Sequence, residues 1–146
     1  MYEFENSIFI NRPPQDVFNV VTDLDKQPLW QSMVESAEIT SNGPVGVGST
    51  LKVVARFLGR EFDTGLQVTA WEPPHRLDWK GLNGPYPVEV TNTFEPQGEG
   101  TLLTSVSRAE FGGFFKLAAG LVGKQMQKQI DANYETLKLL MESNQL

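Results

Sequence analysis

The sequence predicts an α+β fold in which one curved antiparallel sheet closes on a single long helix. Three observations carry that prediction. The last third of the chain has a helical period, six short strand-like segments follow one another through its middle, and nothing upstream offers a second helix of comparable length. A lone amphipathic helix cannot bury its apolar stripe against itself, so the strands have to supply the partner surface.

The elements come in this order. Tyr2 to Ile10 alternate as a strand, with Phe4, Asn6, Ile8 and Ile10 on one face. Phe9 breaks the alternation, which implies partial cover on the outer side. Pro13-Pro14 stops the strand and suits the first turn of a helix, where a missing N–H costs nothing. Pro14 to Thr22 then reads as a short helix with Val17, Phe18 and Val21 inward. Asp25 is placed to cap a second short helix carrying Trp30. Glu35 to Ser41 is the second strand, and the Asn42–Gly48 stretch after it is rich in turn residues.

Leu58-Gly59-Arg60-Glu61 marks a tight hairpin. With Gly59 and Arg60 as the loop, Phe57 pairs with Phe62, Ala55 with Thr64, Val53 with Leu66 and Leu51 with Val68, all on one face. The other face pairs Arg56 with Asp63 and Lys52 with Gln67. Leu77 to Lys80, Tyr86 to Glu95 and Thr101 to Glu110 complete the sheet. Leu103, Ser105, Ser107 and Ala109 of the last strand share a face. Gly112-Gly113 releases the chain into a helix from Phe114 to about Ser143. Its stripe runs Phe115, Ala119, Val122, Met126, Ile130, Asn133, Leu137, Leu140 and Met141, over roughly 45 Å. Gly120 and Gly123 interrupt it, marking either a bend or a close approach.

Composition narrows the function. The 146 residues suffice for one domain spanning the whole chain. Without cysteine there are no disulfides, thiolate metal sites or cysteine nucleophiles, a usage that fits a cytoplasmic location. The single histidine, His75, argues against a histidine metal site or a catalytic triad, and its Pro-Pro-His-Arg turn reads as surface. A formal charge of −6 argues against nucleic acid as a partner. No run of apolar residues is long enough to span a membrane, and the acidic, alternating first residues are unlike a signal peptide. No cofactor and no metal is called for.

The inward faces together outline a wall. The first strand gives Ile8 and Ile10, and the short helix gives Trp30. The hairpin adds Val53, Phe57, Phe62, Thr64 and Leu66, and the strand after it Tyr86, Val88, Val90 and Asn92. Ser105 comes from the last strand, and Val122, Met126, Ile130 and Asn133 from the long helix. None is charged at neutral pH. Proton-transfer catalysis needs a poised acid or base, whereas such a lining describes a pocket for an uncharged or weakly polar ligand. The polar members, with Asn6 and Ser107, either orient a ligand or bond to one another and to backbone. Asp23 and Asp25, at a helix end, read as caps rather than as an acid–base pair.

Several segments, in order, resemble the START-like (SRPBCC) superfamily, and within it the bacterial polyketide cyclase/dehydrase-like branch. They are Pro13-Pro14-Gln15-Asp16-Val17-Phe18 with Val21-Thr22-Asp23, Pro28-Leu29-Trp30, Gly46-Val47-Gly48-Ser49, Leu58-Gly59-Arg60-Glu61, Glu72-Pro73-Pro74-His75-Arg76-Leu77 and Gly100-Thr101. The resemblance implies a helix-grip fold, a seven-stranded sheet wrapped around the C-terminal helix with a cavity between them. It implies no reaction and no catalytic residues, because the superfamily holds carriers, receptors and cyclases alike. The expected function is binding of a small hydrophobic molecule such as a lipid, an isoprenoid or an aromatic, polyketide-like metabolite. The alternative is a cyclase or dehydratase acting by confinement. A third reading is an adaptor or homodimer using an outer apolar patch around Phe9 and Trp71.

Overall fold

The computed structural model describes residues 2–82, 87–110 and 119–146. Seven strands form one antiparallel sheet in the order β1-β7-β6-β5-β4-β3-β2. They are β1 Tyr2–Ile10, β2 Val34–Ile39, β3 Thr50–Phe57, β4 Arg60–Glu72, β5 Arg76–Gly81, β6 Val88–Gln97 and β7 Gly100–Ala109. Helix α1 (Pro14–Thr22), a 3-10 turn (Leu24–Lys26) and helix α2 (Gln27–Trp30) fall between β1 and β2, and α3 (Ala119–Glu142) follows β7. The strand count and the long stripe predict a curved antiparallel sheet on one helix, and this is the helix-grip arrangement that the family resemblance implies. The glycine pair 112–113, Phe115 and the predicted helix start at Phe114 lie outside the described residues.

Alternation decides which way each strand faces. In β1, Phe4, Ile8 and Ile10 are buried, while Phe9 points outward. Phe9 is nonetheless partly covered. Lys138 sits over its ring, 5.4 Å from the centroid, and donates to its carbonyl. Gly100 faces it from β7, where a Cβ would come within 2.5 Å of the ring. That close approach is why residue 100 lacks a side chain.

The β3–β4 hairpin departs from the predicted pairing by two residues. Its loop is Leu58-Gly59, with φ of 51° and 77°, so Phe57 pairs with Arg60, Ala55 with Phe62 and Val53 with Thr64. Two consecutive positive φ values give a turn whose twist matches that of the strands. A slip of two preserves parity, so every side chain keeps its predicted face. Arg56 now opposes Glu61, at 3.0 Å, and Lys52 reaches Asp63 diagonally at 3.4 Å.

A second departure reverses a face. The β4–β5 register shifts between Val68 and Ala70, so Val68 pairs with Trp79 and Trp71 with Leu77. The extra residue flips the alternation, and Trp71 turns inward with Leu66 and Val68. Its ring meets Phe18 edge-on at 5.2 Å. Trp71 therefore contributes nothing to the outer apolar patch predicted for an adaptor.

Helix α1 begins with Pro14 in its first turn and buries Val17, Phe18, Val20 and Val21. Asp23, not Asp25, caps the 3-10 turn, accepting from the Asp25 N–H at 3.1 Å. With Ile10, Phe94, Leu103, Leu137 and Met141, the α1 side chains make the main core. That core fills the end of the sheet where β1 finishes and β7 begins. The C-terminal end of α3 is fastened there by polar bonds: Asn11 N–H to the Glu142 carboxylate at 2.8 Å, and Arg12 to the Glu142 carbonyl at 2.9 Å.

Candidate functional site

Toward the other end of the sheet the helix and strands part, and the space between them stays hollow. The cavity measures about 730 Å³. Strands β3 to β7 supply its floor and far wall, and α3 one side through Met126, Ile130, Asn133 and Tyr134. The 3-10 turn and α2 bridge the gap between α3 and the edge strand β2. Asn133 holds that bridge: its side-chain oxygen accepts from the Ser32 N–H (3.2 Å) and from the Ser32 hydroxyl (2.9 Å). Exposed members of the lining fall at two places: Asp25, Glu38, Ile39 and Val45 on this bridge, β2 and the β2–β3 loop, and Pro87 and Glu110 beside the start of β6 and the end of β7. The cavity reaches the surface at both.

Most of the sequence-predicted residues meet in this lining: Trp30, Val53, Phe57, Phe62, Thr64, Leu66, Val88, Val90, Asn92, Ser105, Met126, Ile130 and Asn133. Three do not. Ile8 and Ile10 lie on the correct face of β1 but in the filled core under α1. Val122 packs into a plug with Phe57, Phe62, Met33 and Met126, which line the hollow themselves while Val122 does not. Tyr86 lies outside the described residues. His75 is exposed and not part of the lining, and Met141 belongs to the core. Asn6 donates to Asp131 at 2.9 Å, so it serves the helix contact.

The sequence reading missed Tyr134, Trp71, Trp79 and Met33, all of which line the cavity. Tyr134 is the most consequential. Its ring lies 5.4 Å from that of Trp30, and its hydroxyl donates to the Asn92 side-chain oxygen at 3.4 Å. Asn92 in turn donates to the Leu77 carbonyl at 3.2 Å. Asn92 faces Ser105 directly across the β6–β7 ladder, so a short polar strip crosses an otherwise apolar floor. Burial pushes the Tyr134 hydroxyl pKa upward, and a hydrogen bond with Ser105 offsets part of that rise. Tyr134 is thus neutral at physiological pH. It was detectable from spacing, because Met126, Ile130 and Tyr134 recur every four residues.

Chemically, the described lining encloses more than it activates. Its ionisable side chains besides Tyr134 are Asp23, Asp25, Glu38 and Glu110, and of these only Asp23 is even partly buried. Among the described residues no group of three or more His, Asp or Glu could hold a metal ion, and no helix is long and apolar enough to cross a membrane.

Solved structures share this architecture. A protein from Thermus thermophilus superposes with a TM-score of 0.84 at 24% identity, covering 98% of this chain and 99% of its own. A START superfamily protein from Mycobacterium smegmatis gives 0.71 at 17%, over 94% and 99%. The di-domain ARO/CYC StfQ of the steffimycin biosynthetic pathway gives 0.76 at 16%, covering 97% of this chain and 51% of StfQ. At these identities the likeness is one of fold. No curated protein matches the chain in sequence. Residues 1–142 match the family described as polyketide cyclase / dehydrase and lipid transport, and the chain belongs to that family.

Proposed function

We propose that this chain binds a small, mainly apolar molecule, such as a lipid, an isoprenoid or an aromatic polyketide-like metabolite, in the cavity between sheet and α3. The observation that carries the reading is the hollow itself: about 730 Å³, lined largely by aliphatic and aromatic side chains and reaching the surface beside β2 and again at Glu110. That size and composition fall within the range of small-molecule sites. Phe57, Phe62, Val88, Met126 and Ile130 would enclose the apolar body, and Asn92, Ser105 and Tyr134 would meet a polar group.

Native mass spectrometry of protein purified from its own host tests this directly, with a co-purified apolar ligand as the expected result. Absence of any such ligand, together with no heat of binding for apolar probes in calorimetry, would reject it.

A second reading, cyclisation or dehydration of a polyketide-like substrate, draws on the family description and on the ARO/CYC neighbour. Here the cavity would act by holding a reactive chain folded. Turnover of a poly-β-ketone surrogate above its spontaneous rate would favour it, and an unchanged product distribution would exclude it.

A further inference from the structure

We infer that the cavity selects neutral ligands bearing a hydroxyl or carbonyl oxygen, seated against Tyr134, and discriminates against carboxylates and other anions. This rests on the binding reading above and narrows its ligand class. Two independent features support it.

The first is charge. Among the described residues, every charged side chain in the lining is acidic, namely Asp23, Asp25, Glu38 and Glu110. No lysine, arginine or histidine joins them. Lys26 stands near the opening beside β2, but outside the lining, and pairs with Asp23 at 3.8 Å. An anion entering the hollow would lose its hydration and meet no compensating cation, while passing carboxylates at the rim. A neutral molecule carries neither penalty.

The second is the polar strip. Asn133 is committed to Ser32, and Gln27 donates to the Val21 carbonyl at 2.6 Å, so these polar lining groups are occupied by the protein. Tyr134 shares a hydrogen bond with Ser105, yet its own proton is held loosely. Its 3.4 Å bond to Asn92 is near the outer limit for a hydrogen bond, so its hydroxyl can turn toward a ligand oxygen at little cost. Ser105 and Asn92, both buried, flank that position. An apolar ligand with one oxygen gives the strip a further partner, which a pure hydrocarbon cannot.

Three probes with one ring system separate these terms: 2-naphthol, naphthalene and 2-naphthoate, titrated by calorimetry at neutral pH. The expected order is naphthol tighter than naphthalene by about tenfold, the worth of one buried hydrogen bond, with naphthoate weakest. Tyr134→Phe should lower naphthol affinity to that of naphthalene and leave naphthalene unchanged. Ser105→Ala, a smaller change, should reduce the same ratio in part, and serves if the tyrosine variant does not fold. Naphthoate binding as tightly as naphthol would overturn the proposal, as would a naphthol-to-naphthalene ratio near one in the wild type. So would a ratio that survives both substitutions. If naphthalene binds but the order fails, the selectivity alone is rejected. If none of the three binds, the binding function falls with it.

Discussion

The two ends of α3 cover the same sheet and meet opposite conditions. Around Leu137 and Met141 the helix presses on a filled core, because α1 adds Val17, Phe18, Val20 and Val21 to the same cluster. Around Met126 and Ile130 no described residue makes such an insert, and the helix and sheet enclose a hollow. The difference comes from one short helix and its position along the strands. Stability is concentrated where α1 sits, and capacity for a ligand where it does not.

Substitutions can break that contrast or sharpen it. The largest expected effect is Phe18→Ala, which removes a buried ring in edge contact with both Trp71 and Phe94, each at 5.2 Å. Urea denaturation should show a loss of about 3–5 kcal/mol. Met126→Ala, at the hollow end, should cost less, about 1–2 kcal/mol, since the side chain packs on the Phe57 and Val122 cluster on one side and borders the hollow on the other. Equal losses would show the two ends to be equivalent.

Filling the hollow should separate stability from binding. Val53→Phe adds bulk where there is room, so the usual overpacking penalty of about 1–3 kcal/mol should be largely absent. Calorimetry with an apolar probe should nevertheless show affinity lost by about tenfold or more, as the added ring takes the ligand's place.

Smaller gains are expected near the hollow end. Gly123 lies inside α3, and an added Cβ would meet only the Tyr2 ring, at an ordinary 3.5 Å. Gly123→Ala should stabilise by about 0.5–1 kcal/mol in thermal unfolding. A loss instead would mean the helix needs a glycine there. Leu58 holds φ at 51°, a region unfavourable for a leucine, so Leu58→Asn should add up to about 1 kcal/mol.

The smallest effect belongs to the fastening at the filled end. The Asn11 N–H, and then Lys138, hold the Glu142 carboxyl below its ordinary pKa. A carboxylate whose folded pKa is depressed contributes stability above its unfolded pKa and loses it as pH falls through the folded value. Glu142→Gln should therefore flatten the acid side of the stability–pH curve slightly, measured by denaturation from neutral pH downward.

Face direction was legible in the sequence, because it depends only on alternation. The inward set of β3, β4, β6 and β7 survived even a two-residue slip of the hairpin, since a slip of two leaves parity intact. Position along the strands was not legible. Ile8, Ile10 and Val122 obey the same periodicities as true lining residues, but only the packing of α1 and of the Phe57 plug places them away from the hollow. Trp71 failed for another reason. One extra residue between Val68 and Ala70 leaves no compositional mark, yet it inverts every face beyond it.

The inversion has a spectroscopic consequence. The chain has three tryptophans, and Trp30, Trp71 and Trp79 all line the cavity. Every indole emitter in the protein therefore borders the space a ligand would occupy. Intrinsic fluorescence becomes a label-free gauge of occupancy, because displacing water from the hollow changes the polarity around each indole. The three also sample different sides: Trp30 on the α2 bridge, Trp71 beneath α1 and Trp79 on the β5 floor. Replacing them with phenylalanine in pairs would leave one emitter at a time and map which part of the cavity a bound molecule fills.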